Sequence, residues 1–332
     1  MDYEQRKKSI SLISGGLDSA LATKLILDQG IEVTGIHFTS LFASRRDKER
    51  GLQAVRTAEE LGIRLITIDK GPEYIDLIKN PRYGYGKNMN PCIDCRIFML
   101  QKAKAVMEQE QAGFVVTGEV LGQRPMSQQR NTIHLIEKRS GLAGLIVRPL
   151  SAKLFPPSEP ETTGIVNREL LLGVSGRSRA VQQELVNEYH LKAYSSPGGG
   201  CLLTDPIFSN KLRELFHDDK DCTVKDIQLL TFGRHFRLGR GTKLVVGRNQ
   251  KENEALEELW EPTYTLISPA DFKGPRGTIK GCHDGDALTT AAAILAFYGK
   301  YDAPEILLEI YDGERTTARF VRTDVDVEGL RI

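Results

Sequence analysis

Apolar positions in the first part of the chain come in short blocks separated by polar, glycine-bearing turns. Ile10, Leu12 and Ile13 form one such block, and its brevity reads as a buried strand. Leu17, Ala20, Leu21, Leu25 and Ile26 then recur at helical spacing up to Gly30, a natural stop. Residues 31–38 predict a second strand, and 46–62 a charged helix with Ala54, Val55, Ala58 and Leu61 on one side. A third strand over 64–69 and a short helix over 74–78 follow. A loop rich in Gly, Tyr and Asn, from Pro81 to Pro91, leads to a helix over 93–109. Further strands are expected at 113–118 and 145–147, and, beyond the prolines between 156 and 160, a helix at 178–189. Strands alternating with helices predict an α/β fold on a doubly wound parallel sheet, with ligands at the carboxyl ends of its strands. The pattern shifts near residue 205. We therefore expect one domain over 1–205 and a second, smaller α+β domain over 206–332.

The turn between the first strand and the first helix carries the clearest chemistry. Ser14-Gly-Gly-Leu-Asp-Ser19 sets two adjacent glycines where a backbone can approach a ligand. The unpaired N–H groups of the helix start point into that turn. The result is an anion site suited to phosphate or pyrophosphate. An ordinary strand-to-helix turn would need only the glycines; Ser14, Asp18 and Ser19 add hydroxyls and a carboxylate at fixed offsets. Asp18 is the candidate for holding Mg²⁺ and orienting the phosphates. His37, near the end of the second strand, reads as structural rather than as a general base. No GxxxxGK[ST] loop is present.

The hexapeptide resembles the SGGxDS signature of the PP-loop ATP pyrophosphatases. That resemblance implies an adenine nucleotide alpha hydrolase-like fold and cleavage of ATP between the α- and β-phosphates. AMP would be placed on a carbonyl-type oxygen of the substrate, and pyrophosphate would leave. The implied nucleotide contacts are Leu12, Ser14, Gly15, Gly16, Leu17, Asp18 and Ser19, with Phe38 and Gly118 at the ends of two later strands. Two polar stretches lie outside the signature. Gly122–Gln128, with Arg130, could close over a substrate. Gly176-Arg-Ser-Arg179 is a cationic turn that fits pyrophosphate, RNA phosphate or simply the start of a helix.

Composition narrows the class. The 332 residues suit two domains, and 45 Lys and Arg against 44 Asp and Glu exclude a global polycation. Any nucleic-acid site must be a local patch. No apolar run approaches the roughly 18 residues of a membrane span, and the charged start lacks a signal core. The five cysteines are an odd number and favour reactive or metal-binding thiols over disulfides. A cytoplasmic protein with no membrane partner is expected.

Cys92 and Cys95 form a CxxC just ahead of the predicted helix at 93–109, and Cys201 lies 106 residues beyond Cys95. A redox pair, a structural zinc site, isolated buried thiols and a sulfur-handling site all compete on the residues alone. Resemblance favours the last. PP-loop enzymes with such a CxxC and a distant third cysteine are similar to the 2-thiouridine and 4-thiouridine synthases of tRNA. In their iron–sulfur branch three cysteines hold a [4Fe–4S] cluster, which would assign Cys92, Cys95 and Cys201 as ligands. In the cluster-free branch a nucleophile and a persulfide carrier act instead, using Cys92 or Cys95 with Cys201. Cys222 and Cys282 read as ordinary thiols.

Residues 232–253 hold six cations, Arg234, Arg237, Arg240, Lys243, Arg248 and Lys251, against one Glu. With Asp271–Pro275 and Ala291–Tyr298, this region resembles the RNA-binding domain of the NFACT family. The cations are candidate phosphate contacts, and Phe232, His235 and Phe236 candidate stacking platforms for unpaired bases. The expectation is an ATP-dependent tRNA sulfurtransferase using ATP, Mg²⁺ and a [4Fe–4S] cluster. Its partners would be tRNA and a sulfur donor, either sulfide or a cysteine desulfurase or persulfide carrier, and a homodimer is compatible. The alternatives are a PP-loop amide or amine ligase and an RNA-binding module with a vestigial ATP site. The β-barrel or THUMP domains usual beside such a core are not evident, which leaves 2-thiouridine and 4-thiouridine both open.

Overall fold

The structure is a computed structural model. It describes residues 7–331 except 44, 196–200, 240, 282–284, 324, 326, 328 and 329. Arg240 and Cys282 therefore lie outside the described residues. The chain divides into two compact units, Met1–Asp205 and Pro206–Ile332.

In the first unit, β1 (Lys8–Leu12), α1 (Leu17–Leu27), β2 (Glu32–Thr39), α2 (Arg45–Glu60) and β3 (Arg64–Asp69) alternate as the pattern predicts. Next come α3 (Glu73–Lys79), α4 (Cys92–Gln109), β4 (Phe114–Val116), α5 (Arg130–Ser140), β5 (Ile146–Val147), the single turn α6 (Glu159–Thr162) and α7 (Ala180–Tyr189). The strands form a parallel sheet in the order β3-β2-β1-β4-β5. The order reverses beside β1, because β2 and β3 build out one way and β4 and β5 the other. A crevice opens at the carboxyl ends where such a reversal occurs. Both faces of the sheet are covered. Leu17, Leu21, Ile26, Phe114 and Val186 fill one side, and Ile10, Ile36, Leu100, Val115 and Ile136 the other. That double burial shows in β1, where Ser9 and Ser11 are as buried as Ile10 and Leu12. It also explains why α1 shows no polar face: eight of its eleven residues are buried.

The helix expected over 93–109 begins one residue earlier, at Cys92, so both cysteines of the CxxC occupy its first turn. Asp94 between them holds the loop before it. Its carboxylate accepts hydrogen bonds from the Arg82 and Tyr83 amides at 3.1 and 3.0 Å, folding the 81–91 loop back onto the helix start.

The second unit opens with α8 (Pro206–Asp218) and α9 (Val224–Leu229), then β6 (Arg234–Gly239), β7 (Thr242–Val246), α10 (Gln250–Glu258), β8 (Tyr264–Pro269), β9 (Gly277–Lys280), α11 (Gly285–Gly299), β10 (Glu305–Tyr311) and β11 (Thr316–Arg322). Its six strands form an antiparallel sheet in the order β11-β10-β8-β9-β7-β6. The apolar helix α11 packs Leu288, Ala291, Ala292 and Leu295 against Leu244, Ile279, Ile306 and Leu308 of the sheet. On the other face Val245 and Tyr264 meet Leu229 and Leu256. No described helix is long and apolar enough to cross a membrane.

Candidate active site

The Ser14–Ser19 loop lies at the carboxyl end of the central strand. Gly15 holds φ at +71°, a conformation glycine adopts without strain. Ser19 ties the loop shut: its Oγ donates to the Gly16 carbonyl at 2.8 Å and accepts from the Ser14 amide at 3.2 Å. Ser195 closes it from outside, its amide and hydroxyl both donating to the Gly15 carbonyl at 2.8 and 2.9 Å. Gly16 caps α1 with no side-chain partner, so the helix's first N–H groups are left to the loop. Gly118 is required by close approach rather than by φ. A Cβ there would come within 2.6 Å of the Asp18 carbonyl and the Ser19 nitrogen. Glycine therefore lets the end of β4 press against the start of α1. Phe38, near the end of β2, packs half-buried against the Ile10 and Ile36 cluster. His37 is buried, with Nδ1 on the Ile13 carbonyl at 2.9 Å. This is the structural role expected of it.

Both polar stretches outside the signature converge on Asp18. Gln123 Nε2 donates to Oδ2 at 2.7 Å, Arg179 Nη2 to the same oxygen at 3.4 Å, and Gln182 Nε2 to Oδ1 at 3.3 Å. Neither glutamine was legible as a site residue. Gln182 carried one signal, a polar residue four before Val186 on the buried side of α7.

The cysteines gather nearby, also at the carboxyl edge. Tyr74, buried in the first turn of α3, hydrogen-bonds Cys95 and lies close enough to feel the charges of Cys201 and Cys92. Burial first, and then these thiols, push its hydroxyl well above the usual tyrosine range. Lys70, just past β3, donates to Cys95 Sγ at 3.2 Å and sits 4.4 Å over the Tyr74 ring. Cys201 is tethered by its thiol to the Phe42 carbonyl at 3.5 Å, and the Leu202 amide reaches the same oxygen at 3.0 Å. Burial raises the Cys92 thiol, with Cys95 adding to the effect, while Arg124, Asn90 and Lys70 oppose it. All three cysteines are half-buried and form no disulfide. Three soft thiol donors suit an iron–sulfur centre in number and kind. Among the described residues no three His, Cys, Asp or Glu side chains stand close enough to hold a metal ion, so binding one would draw the sulfurs inward.

A buried ion chain backs both halves. Glu119, next after Gly118, accepts from Arg96 Nε at 2.8 Å and Arg148 Nε at 3.0 Å, and Arg148 continues to Glu137 at 2.5 Å. Burial would raise the Glu119 carboxyl, but the two guanidiniums outweigh it and bring it to about 2. Arg96 follows Cys95 directly, so the chain couples the cysteine helix to the strand end beneath the loop.

In the second unit the candidate cations differ in availability. Arg237 pairs with Glu214 at 3.1 Å and Asp218 at 3.3 Å, Lys243 with Asp218 at 3.2 Å, and Arg248 with Glu252 at 2.5 Å. Arg234 lies 4.4 Å over the Tyr298 ring, and Lys251 is exposed. The expected stacking platforms do not hold. Phe236 is a core residue, His235 is buried with Nε2 on the Phe232 carbonyl at 2.9 Å, and Phe232 packs partly buried against the Val245 and Tyr264 cluster. His235 and Phe236 are adjacent in β6 and face opposite sides of a sheet covered on both, so each is buried. Burial, reinforced by the Lys211 charge, lowers His235 to about 3. Cys222 is buried, as an ordinary thiol would be.

Residues 5–153 match the family described as thiamine biosynthesis protein (ThiI), and residues 233–326 that described as NFACT protein RNA binding domain. The chain thus resembles the first family over its parallel-sheet unit and the second over most of its antiparallel unit. A probable tRNA sulfurtransferase of Natranaerobius thermophilus is 33% identical over 167 residues, 47% of this chain and 38% of its own. The tRNA-specific 2-thiouridylase MnmA of Syntrophotalea carbinolica is 29% identical over 123 residues, 35% of each chain. The match thus spans less than two-fifths of these relatives' length. Among solved structures, a 4-thiouridine synthetase–RNA complex with bound ATP shares 22% identity over 55% of this chain and 50% of its own, with a TM-score of 0.36. The U34-tRNA thiolase NcsA of Methanococcus maripaludis with its [4Fe–4S] cluster shares 16% over 69% of this chain and 77% of its own, at 0.35. The ThiI match covers the Ser14–Ser19 loop, Cys92, Cys95 and Glu119, and stops short of Arg179, Gln182 and Cys201.

Proposed function

We propose that the protein is an ATP-dependent tRNA sulfurtransferase. The observation that supports this most is the meeting of Cys92, Cys95 and Cys201 around Tyr74 at the same sheet edge as the Ser14–Ser19 loop. An anion-binding loop alone would suit any adenylating enzyme. Thiols brought in from 106 residues away beside it suit one whose incoming nucleophile is sulfur.

In this reading Ser14, Gly15, Gly16 and Ser19, with the start of α1, hold the ATP phosphates, and Asp18 positions Mg²⁺. Leu12, Leu17, Phe38 and Gly118 line the nucleotide. A uridine carbonyl oxygen attacks the α-phosphorus and pyrophosphate leaves with the electron pair of the broken P–O bond. Hydrosulfide then adds at the adenylated carbon, AMP departs with the C–O electrons, and the remaining sulfur proton is released to solvent. Cys92, Cys95 and Cys201 would hold a [4Fe–4S] cluster, which when bound supplies an iron site for sulfide. The base must leave its stack for its oxygen to be reached. Arg234, Arg237, Arg240, Lys243, Arg248 and Lys251 hold the RNA backbone.

A second route is favoured by one specific contact. Lys70 donates a hydrogen bond to Cys95 Sγ at 3.2 Å, which orients that sulfur and marks it out among the three. Cys95 would then be the persulfide carrier, with Cys201 as its partner thiol. Incubating the chain with tRNA, Mg²⁺–ATP and sulfide, followed by mass spectrometry of the nucleosides, tests the function. A thiouridine is expected. Pyrophosphate release without a thionucleoside would point to a ligase instead, and no tRNA-stimulated release at all to a binding module. Iron and acid-labile sulfide measured after anaerobic purification separate the two sulfur routes.

A further inference from the structure

We propose that Arg179 is a catalytic residue of the nucleotide half-reaction. It pairs with Asp18 in the structure and transfers to the leaving pyrophosphate once Mg²⁺ takes that carboxylate. The inference rests on the ATP reading of the Ser14–Ser19 loop.

Asp18 is crowded by protein donors. Its two oxygens accept from Gln123, Arg179 and Gln182. A Mg²⁺ ion needs its carboxylate oxygen at about 2.0–2.1 Å in near-octahedral geometry. Some of these donors must therefore yield. The contacts are unequal. Gln123 at 2.7 Å is a full hydrogen bond, whereas Gln182 at 3.3 Å and Arg179 at 3.4 Å exceed the about 2.7–2.9 Å of strong charge-assisted pairs. Arg179 is the donor most readily released, and its side chain keeps 30% exposure at the crevice.

The turn that carries Arg179 is anchored independently of Asp18. Gly176, at φ +81°, donates its amide to the Leu121 carbonyl at 2.7 Å, and Leu121 bridges Ser175. Gln182, one turn further along, is fully buried, and its Oε1 has no hydrogen-bond partner among the described residues. A buried acceptor without a partner next to an anion-binding loop suits a hydrated cation. Gln123 and Gln182 are then positioning residues that hold Asp18 while the guanidinium moves.

The chemistry needs a cation there. As the acceptor oxygen bonds to the α-phosphorus, the bond from that phosphorus to the β-phosphate's bridging oxygen breaks. Its electron pair stays on pyrophosphate. Mg²⁺ carries part of that charge. A planar guanidinium donates two N–H groups to adjacent phosphate oxygens and gives up no proton. Removing one preorganised donor to developing negative charge costs about 10²–10³-fold in rate.

The test uses the full chain and compares wild type with Arg179→Met and Arg179→Lys. Calorimetry with Mg²⁺–pyrophosphate and, separately, with AMP gives a readout independent of thiolation. Arg179→Met should weaken pyrophosphate binding about 10- to 100-fold and leave AMP affinity within about twofold. Single-turnover pyrophosphate release should fall by about 10²-fold. Arg179→Lys should recover part of both, since it restores charge but not the two-pronged geometry. A variant that binds pyrophosphate as wild type does, or that loses AMP equally, overturns this assignment alone and leaves Arg179 a structural clamp. A wild-type chain that binds neither ATP nor pyrophosphate overturns the underlying reading together with this one.

Discussion

The two units treat charged residues in opposite ways. At the edge of the parallel sheet, polar side chains converge on Asp18 at a helix start that has no side-chain cap, and three half-buried thiols stand at the same edge. In the antiparallel unit, the cations that make residues 232–253 so basic are largely spent on neighbouring acids. Glu214 and Asp218 of α8 and Glu252 of α10 lie outside the strand sequence or next to it, and they neutralise Arg237, Lys243 and Arg248. A net charge counted along a segment is therefore not a surface potential. Among the described candidate cations, Lys251 is exposed and Arg234 lies over the Tyr298 ring.

The strongest way to break the contrast is at Glu119. Glu119→Gln leaves the buried Arg148 and the half-buried Arg96 without their shared carboxylate, and a loss of about 3–5 kcal/mol in urea unfolding is expected. A loss under about 1 kcal/mol would mean that the ion chain does not tie the cysteine helix to the strand end. Next is Asp18→Asn, which should cut tRNA-dependent pyrophosphate release about 10²–10³-fold. An unchanged rate would remove Asp18 from the chemistry.

Acid should separate the units. His235 titrates at about 6.5 when unfolded and about 3 when folded. The unfolded state therefore takes up a proton first, and stability is present above pH 6.5 and is lost as pH falls toward 3. By pH 5 this costs the second unit about 2 kcal/mol. Glu119 is lowered from 4.5 to about 2, so its contribution is intact at pH 5 and is lost only between those values. Hydrogen exchange at pH 5 should show protection falling first in the second unit. Equal loss in both would overturn the assignment. The smallest effect compares Lys251→Ala with Arg248→Ala. The first should weaken RNA binding a few-fold and reduce the salt slope by about one. The second, already paired to Glu252, should do less; the reverse order would show that the ion pair opens on binding.

Legibility followed the range of the forces involved. Ser14–Ser19 was readable because a glycine turn, a helix start and two hydroxyls act within six residues. The strand and helix blocks were readable because short apolar clusters such as Ile10–Ile13 and Phe114–Val116 alternate with helical spacing of the kind Leu17, Leu21 and Leu25 show. The CxxC and its helix were readable to within one residue, but the hold of Asp94 on the amides of a loop eleven and twelve residues earlier was not. Phe232, His235 and Phe236 misled for a related reason: an aromatic beside arginines can stack on a base or fill a core, and covering both faces of the sheet decided for the core.

By itself, then, the sequence determined the local chemistry: an anion loop at the end of the first strand, a thiol pair, a basic segment and a helix of alanine and leucine over the second sheet. Tertiary structure alone decided which side chains share a carboxylate. Gln123, Arg179 and Gln182 reach Asp18 from more than a hundred residues away, Tyr74 stands among the three cysteines, and Asp218 takes two of the expected RNA-binding cations. The physical reason is that hydrogen bonds and ion pairs act over a few ångströms of space whatever the separation along the chain, and only packing brings those atoms within reach.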